Sequence, residues 1–177
     1  MRAAKQAGAL IRQVAFLMSS ERSGELFGGE APPEIRQLIE DAKSAPRDQI
    51  GARLWAIQAR APDCLPIYYL LYKFHAGRRE FDQAERAALT GLDRAGSLCG
   101  LPVGADLASN LPTPTADFHA NGPARFWLFT LKALAFIHMR SGQLQEAREL
   151  LAWLERCDPS HSVGSDVTAA LLAGALA

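Results

Sequence analysis

Four histidines and three cysteines are the side chains best suited to chemistry in this chain. His75, His119, His138 and His161 do not cluster in sequence, and Cys64, Cys99 and Cys157 contain no Cys-x-x-Cys spacing. An odd cysteine count without that spacing argues against a disulfide framework and a zinc knuckle, and fits reduced thiols in a cytosol. Cys157 and His161 stand four residues apart, but Asp158-Pro159 lies between them and denies them one helical face for a metal. Nucleophilic catalysis would need a cysteine or serine beside a base in a defined turn. The chain has no Gly-x-Ser-x-Gly, no phosphate loop and no Gly-x-Gly-x-x-Gly. The glycines from Gly96 to Gly104 neither follow a strand nor lead into the Lys-Ser/Thr that a phosphate loop requires. These residues predict no catalytic set, no metal and no cofactor.

The elements that would position any working residues are helical. Apolar residues make up 49% of the 177, enough for one compact domain or a short solenoid to bury a core. Lys plus Arg and Asp plus Glu each number 19, so no net field draws the chain to nucleic acid or an anionic membrane. No run approaches the roughly 18 apolar residues that span a bilayer. Met1-Arg2-Ala3-Ala4-Lys5 imitates the basic start of a signal peptide, but Arg12 interrupts the apolar stretch behind it, and the expectation is a cytoplasmic protein.

Leu10, Val14 and Leu17 share a stripe at helical spacing and predict an N-terminal capping helix over 8–18, followed by a Ser/Gly/Glu loop over 19–31. From Pro32 onward, apolar periodic segments alternate with breakers, predicting helices over 33–43, 48–60, 66–76 and 81–95. Pro33 and Pro66 sit where a first-turn proline costs little, because its missing N–H would have had no intrahelical partner. Gly96, Gly100, Pro102, Gly104, Pro112, Pro114 and Gly122 predict an insertion without long helices. Helicity resumes at Pro123, runs through Arg140, turns at Ser141-Gly142 and continues over 144–157. An Ala-rich segment, 165–177, closes the chain as a last helix.

The run Ser141-Gly142-Gln143-Leu144-Gln145-Glu146-Ala147, with Leu151, Leu154 and Asp158-Pro159 behind it, resembles the tetratricopeptide repeat. In that family about 34 residues form two antiparallel helices. Phe81 and Ala84 repeat Leu144 and Ala147, Leu71 corresponds to Leu134, and Arg79 stands where the turn glycine belongs. Pro62 falls on the terminal proline of a first repeat that sets Leu38 and Leu54 inside. The resemblance covers about residues 31–161 and implies an all-α, antiparallel helical-hairpin solenoid of seven or eight helices. It divides the chain into a cap (1–30), repeats (31–64, 65–98 and 128–161), an insertion (99–127) and a closing cap (162–177). His75 and His138 share one repeat position, usually an aromatic, which implies packed imidazoles. The segments Leu65-Pro66-Ile67-Tyr68-Tyr69, 126–137 and 158–164 are also similar to small repeat proteins encoded beside bacterial nitrogen-fixation genes.

The family lines a concave face with the first helix of each unit. Carried over by position, that face comprises Arg36 and Ile39, then Tyr69 and Lys73, then Phe129, Lys132, Phe136 and Arg140. Rings supply apolar contact at low entropic cost, and the cations can pair carboxylates. The implied partner is therefore another protein with an acidic and hydrophobic segment. Family members that clamp a terminal carboxylate also use asparagines, which these positions lack. Tyr68, Tyr69, Tyr72 and Phe74 with Phe126, Trp127 and Phe129 exceed what one hairpin can bury, so either the insertion or a partner must cover them. The expected function is a non-catalytic adaptor or assembly factor, linked through the narrower likeness to nitrogenase. The alternatives are a homodimeric secretion-type chaperone and a small hydrolase.

Overall fold

The computed structural model describes Phe27, residues 31–103 and residues 116–176, and every regular element among them is an α-helix. In chain order these are α1 (Pro33–Lys43), α2 (Ile50–Arg60), α3 (Leu65–Gly77), α4 (Phe81–Cys99), α5 (Gly122–Ser141), α6 (Leu144–Cys157) and α7 (Ser165–Leu176). The expected capping helix over 8–18 and the middle of the insertion lie outside the described residues. None of these helices is long and apolar enough to cross a membrane.

Each helix packs on its chain neighbour, and the contacts that skip an element join α3 to α5 and α5 to α7. Helix α5 is therefore walled by α3, α4, α6 and α7, and it is apolar nearly all round, from Ala124 through Ile137. Pro123 in its first turn and the Asn121 side chain, which accepts from the Ala124 N–H at 3.0 Å, start it there. Ala84 and Ala147, the small residues of the repeat pattern, are fully buried, as are their companions Leu71 and Leu134. A larger side chain at either alanine would push its helix off its partner. Gly91 goes further: a Cβ there would meet the Cβ of Tyr68 at 2.7 Å, so α3 and α4 approach as closely as they do only because it is absent.

The expected break at Gly96 does not occur. Helix α4 runs on to Cys99 and stops at Gly100, whose φ of 70° is left-handed. Gly96 stays helical because the chain folds back beside it, so that a Cβ at Gly96 would lie 2.8 Å from the Pro102 carbonyl oxygen. Its lack of a side chain serves packing rather than a turn. Helix α2 begins at Ile50 rather than residue 48, because the Gln49 N–H turns back to the Pro46 carbonyl before the helix starts.

The turns at Arg79 and Gly142 have the same geometry. The Glu80 N–H donates to the His75 carbonyl and the Gln143 N–H to the His138 carbonyl, at 3.0 and 2.9 Å. Both central residues have positive φ, 63° at Arg79 and 91° at Gly142. This is the bonding of a Schellman motif, and Arg79 adopts it without being glycine.

Candidate partner-binding face

Helices α3 and α5 lie side by side and bring together four of the residues singled out from sequence. The ring centroids of Tyr69 and Phe129 are 6.0 Å apart. The Lys73 ammonium lies 5.4 Å from the Tyr69 ring centre, and that of Lys132 lies 4.0 Å from the Phe129 ring centre. The spacings are four and three residues, so each cation folds back along one helical face onto its own aromatic. Two turns beyond Phe129 lies Phe136, and Arg140 stands 6.0 Å from its ring and repeats the pairing with both residues half-buried. Burial pushes the Lys73 ammonium below the usual lysine range.

The rings and the cations differ in exposure. Tyr69 and Phe129 are only 5% and 3% exposed, whereas Lys73 and Lys132 are half-buried. Lys132 also donates to the Val163 carbonyl, tying α5 to the turn before α7. Arg36 is exposed on α1, a helix that packs among the described helices only on α2, and Ile39 beside it is buried. Neither of these two is carried to the α3–α5 cluster by helix packing.

The surplus of aromatic surface is covered from two sides. Trp127 donates its indole N–H to the Pro102 carbonyl at 3.0 Å, and Phe118 stacks on it with centroids 6.3 Å apart, so the two ends of the insertion close over α5. Trp153 of α6 meets the Trp127 ring edge-on at 5.2 Å. On the other side lies Phe27, which the sequence placed in a loop without periodicity. It packs edge-on against Phe126 at 4.9 Å, with Phe129 at 5.7 Å and Tyr69 at 5.9 Å. The only signal for it in sequence is a lone Leu26-Phe27 pair among Gly, Ser and Glu.

The two equivalent histidines are both buried, but they do different work. His75 Nδ1 lies 2.7 Å from Glu80 Oε2 within its own hairpin, whereas His138 Nε2 lies 3.0 Å from Glu85 of the preceding one. The first contact closes a turn and the second joins neighbouring hairpins. The Arg78 and His75 side chains hold the Glu80 carboxyl below its ordinary range.

All three thiols are half-buried, and burial raises each of them, Cys157 to about 11. A thiol so raised is a poor nucleophile near neutral pH. Among the described residues no three His, Cys, Asp or Glu side chains gather as a metal would require. A cleft of about 520 Å³ opens between α6 and α7, lined by Leu151, Glu155, His161, Ser165 and Leu172 among others. His161 Nδ1 lies 2.9 Å from Ser165 Oγ there and joins the two ends of the turn that begins α7.

No family model matches the chain, and it finds no match among curated proteins or solved structures.

Proposed function

We propose that the chain is a helical-hairpin solenoid of tetratricopeptide type that works without catalysis, as an adaptor or assembly factor. In this reading the face of α3 and α5 holds an acidic and hydrophobic segment of a partner protein. The observation that carries it is the row of ring–cation pairs, Tyr69 with Lys73, Phe129 with Lys132 and Phe136 with Arg140, along the first helices of adjoining hairpins. Half-buried cations beside apolar rings favour a ligand that brings carboxylates and an apolar side chain together, since each half of the ligand meets its own complement. Near-neighbour packing with first-helix to first-helix contacts supports the repeat reading. Raised thiols support the non-catalytic one. The likeness to repeat proteins encoded beside nitrogen-fixation genes makes nitrogenase maturation the first pathway in which to seek the partner.

The test is affinity capture from native extract by wild type and by a Lys73→Glu/Arg140→Glu variant whose helicity by circular dichroism is unchanged. Lys132 is spared because its ammonium also holds the Val163 carbonyl. A partner retained by wild type and lost by the folded variant is the expected result. A partner held equally by both would remove this face from consideration.

A further inference from the structure

Helix α7 reverses the usual division of a surface helix. Its two hydroxyl residues, Ser165 and Thr168, are buried, whereas Val167, Ala169, Ala170 and Ala173 are exposed. From Ser165 to Leu176 the one charged residue is Asp166. A helix so apolar round its circumference is ordinarily covered on every side, yet among the described helices α7 packs on α5 and α6 alone. Gly174 has the same character. Nothing lies within 4 Å of the place its Cβ would take, so within one chain the missing side chain serves no close approach of the kind Gly91 provides.

The open side of α7 is one wall of the cleft it forms with α6, where Leu151 and Leu172 are buried and Ala169 and Ala173 keep the α7 wall low. The short turn over 158–164 reverses the chain, so the end of α6 lies beside the start of α7. This gives the cleft two electrical ends. Arg148 stands by the later turns of α7, and Glu155 and Asp166 stand by its first turn, next to His161, whose Nδ1 is engaged by Ser165. Among the described residues no ion pair takes up any of these three charges, and Arg148 donates to Gln145 of its own helix at 3.1 Å. An apolar trough with a cation at one end and carboxylates at the other is complementary to itself turned end for end.

We propose that α7 and this cleft form a two-fold contact between two copies of the chain, the two α7 helices antiparallel and Arg148 of each copy against Glu155 and Asp166 of the other. Ala169, Ala173 and Gly174 admit the close helix approach this needs, and the cover falls on the apolar side that a single chain leaves open. The symmetry axis makes each charge pair count twice. The contact uses none of the residues of the α3–α5 face.

The test is sedimentation velocity of the full chain from about 1 to 100 μM, with helicity of every variant checked by circular dichroism. Wild type should pass from monomer to dimer as concentration rises, and higher salt should weaken the dimer. Arg148→Glu and the double variant Glu155→Arg/Asp166→Asn each set like charges across the axis, and each should weaken self-association by roughly tenfold or more. Mixed one to one, these two variants should associate again as a heterodimer, because each altered end then meets its opposite. A chain that stays monomeric throughout, a dimer that survives both charge variants, or a mixture that fails to associate would overturn the proposal. If a charge variant loses helicity, Gly174→Trp supplies the second reading, since the space about Gly174 in one chain is open. It should abolish the dimer, and unchanged association overturns the proposal as well. Capture of a foreign protein by a monomer, lost in Arg148→Glu, would give the cleft to another occupant and overturn the two-fold contact. A monomeric chain whose partner capture is lost in Lys73→Glu/Arg140→Glu sinks this inference and leaves the adaptor reading standing.

Discussion

Helices α2 and α6 end on the same backbone. Ala61 has φ −136° and ψ 68°, Asp158 has φ −133° and ψ 70°, and each N–H reaches back four residues to the helix. Beyond these two ends the chains of contacts diverge. The Asp158 carboxylate accepts from Ser160 Oγ at 2.8 Å and from the Val163 N–H at 3.2 Å, which fastens the turn into α7. The first hairpin has alanine at that place, and five residues on it has Pro66, which offers no N–H, so no carboxylate could be satisfied in the same way. It is fastened instead from outside the turn: Tyr68 donates to the Pro62 carbonyl at 2.9 Å and accepts from Gln58 at 3.0 Å, and Arg94 pairs with Asp63. One backbone unit is thus held by its own side chains in the third hairpin and by its neighbour in the first.

The depth of packing differs in the same direction, and substitution should expose it most strongly. Trp127→Ala removes a fully buried ring with two aromatic neighbours and a hydrogen bond, and should lower unfolding free energy by about 3–5 kcal/mol in urea titration. Ile39→Ala, on a helix with one described helical neighbour, should cost about 2 kcal/mol, and should speed amide exchange over 33–60 before it affects 122–157. Equal losses, or uniform exchange, would erase the distinction between the hairpins.

The turn carboxylate sharpens the comparison next. Burial pushes the Asp158 carboxyl up, but the bonds it accepts from the Ser162 backbone, the Ser160 hydroxyl and the Val163 backbone together outweigh burial and hold it below the ordinary range. Its stabilising effect is therefore complete above the unfolded value of about 3.9 and disappears as pH falls through the folded one. Asp158→Asn should cost about 2 kcal/mol at pH 7, the scale of hydrogen bonds to a charged group, and the gap to wild type should close towards the acid end of a pH series of melts. A gap independent of pH would mean that shape, not charge, secures this turn.

The smallest expected effect compares the turns of the second and third hairpins. Gly142→Arg places a side chain at φ 91°, and Arg79→Gly removes one from φ 63°. The first should destabilise and the second stabilise, each by about 1 kcal/mol in thermal melts, because a Cβ is costly in the left-handed region. The same sign for both would show that the Arg79 side chain earns its place through contacts such as those of the neighbouring Arg78–Glu80 pair.

Much of the helical order was legible because its signals are local. Pro33, Pro66 and Pro123 mark helix starts, Gly142 marks a stop, and the spacing of Leu71, Leu134, Ala84 and Ala147 predicts which faces are buried. Gly96 was misread for an equally physical reason. A glycine signals turn and close approach alike, and only the return of Pro102 beside it shows which applies. The turn between 76 and 81 was expected even with Arg79 at the glycine position, and its neighbours enforce it through backbone hydrogen bonds any residue can make.

The candidate face divides along the same line. Sequence by itself determined the all-α class of the described residues, the helix starts that Pro33, Pro66 and Pro123 mark and the ring–cation spacings, since these depend on residues within one or two turns of each other. Only the tertiary structure decided that Tyr69 and Phe129 meet across two helices, that Lys132 is shared with the Val163 carbonyl, that His138 looks to Glu85 while His75 looks to Glu80, and that Phe27 fills the aromatic face. Contacts between residues far apart in the chain depend on which surfaces remain to be covered once the helices have packed. A lone aromatic has no periodicity with which to announce the surface it will cover.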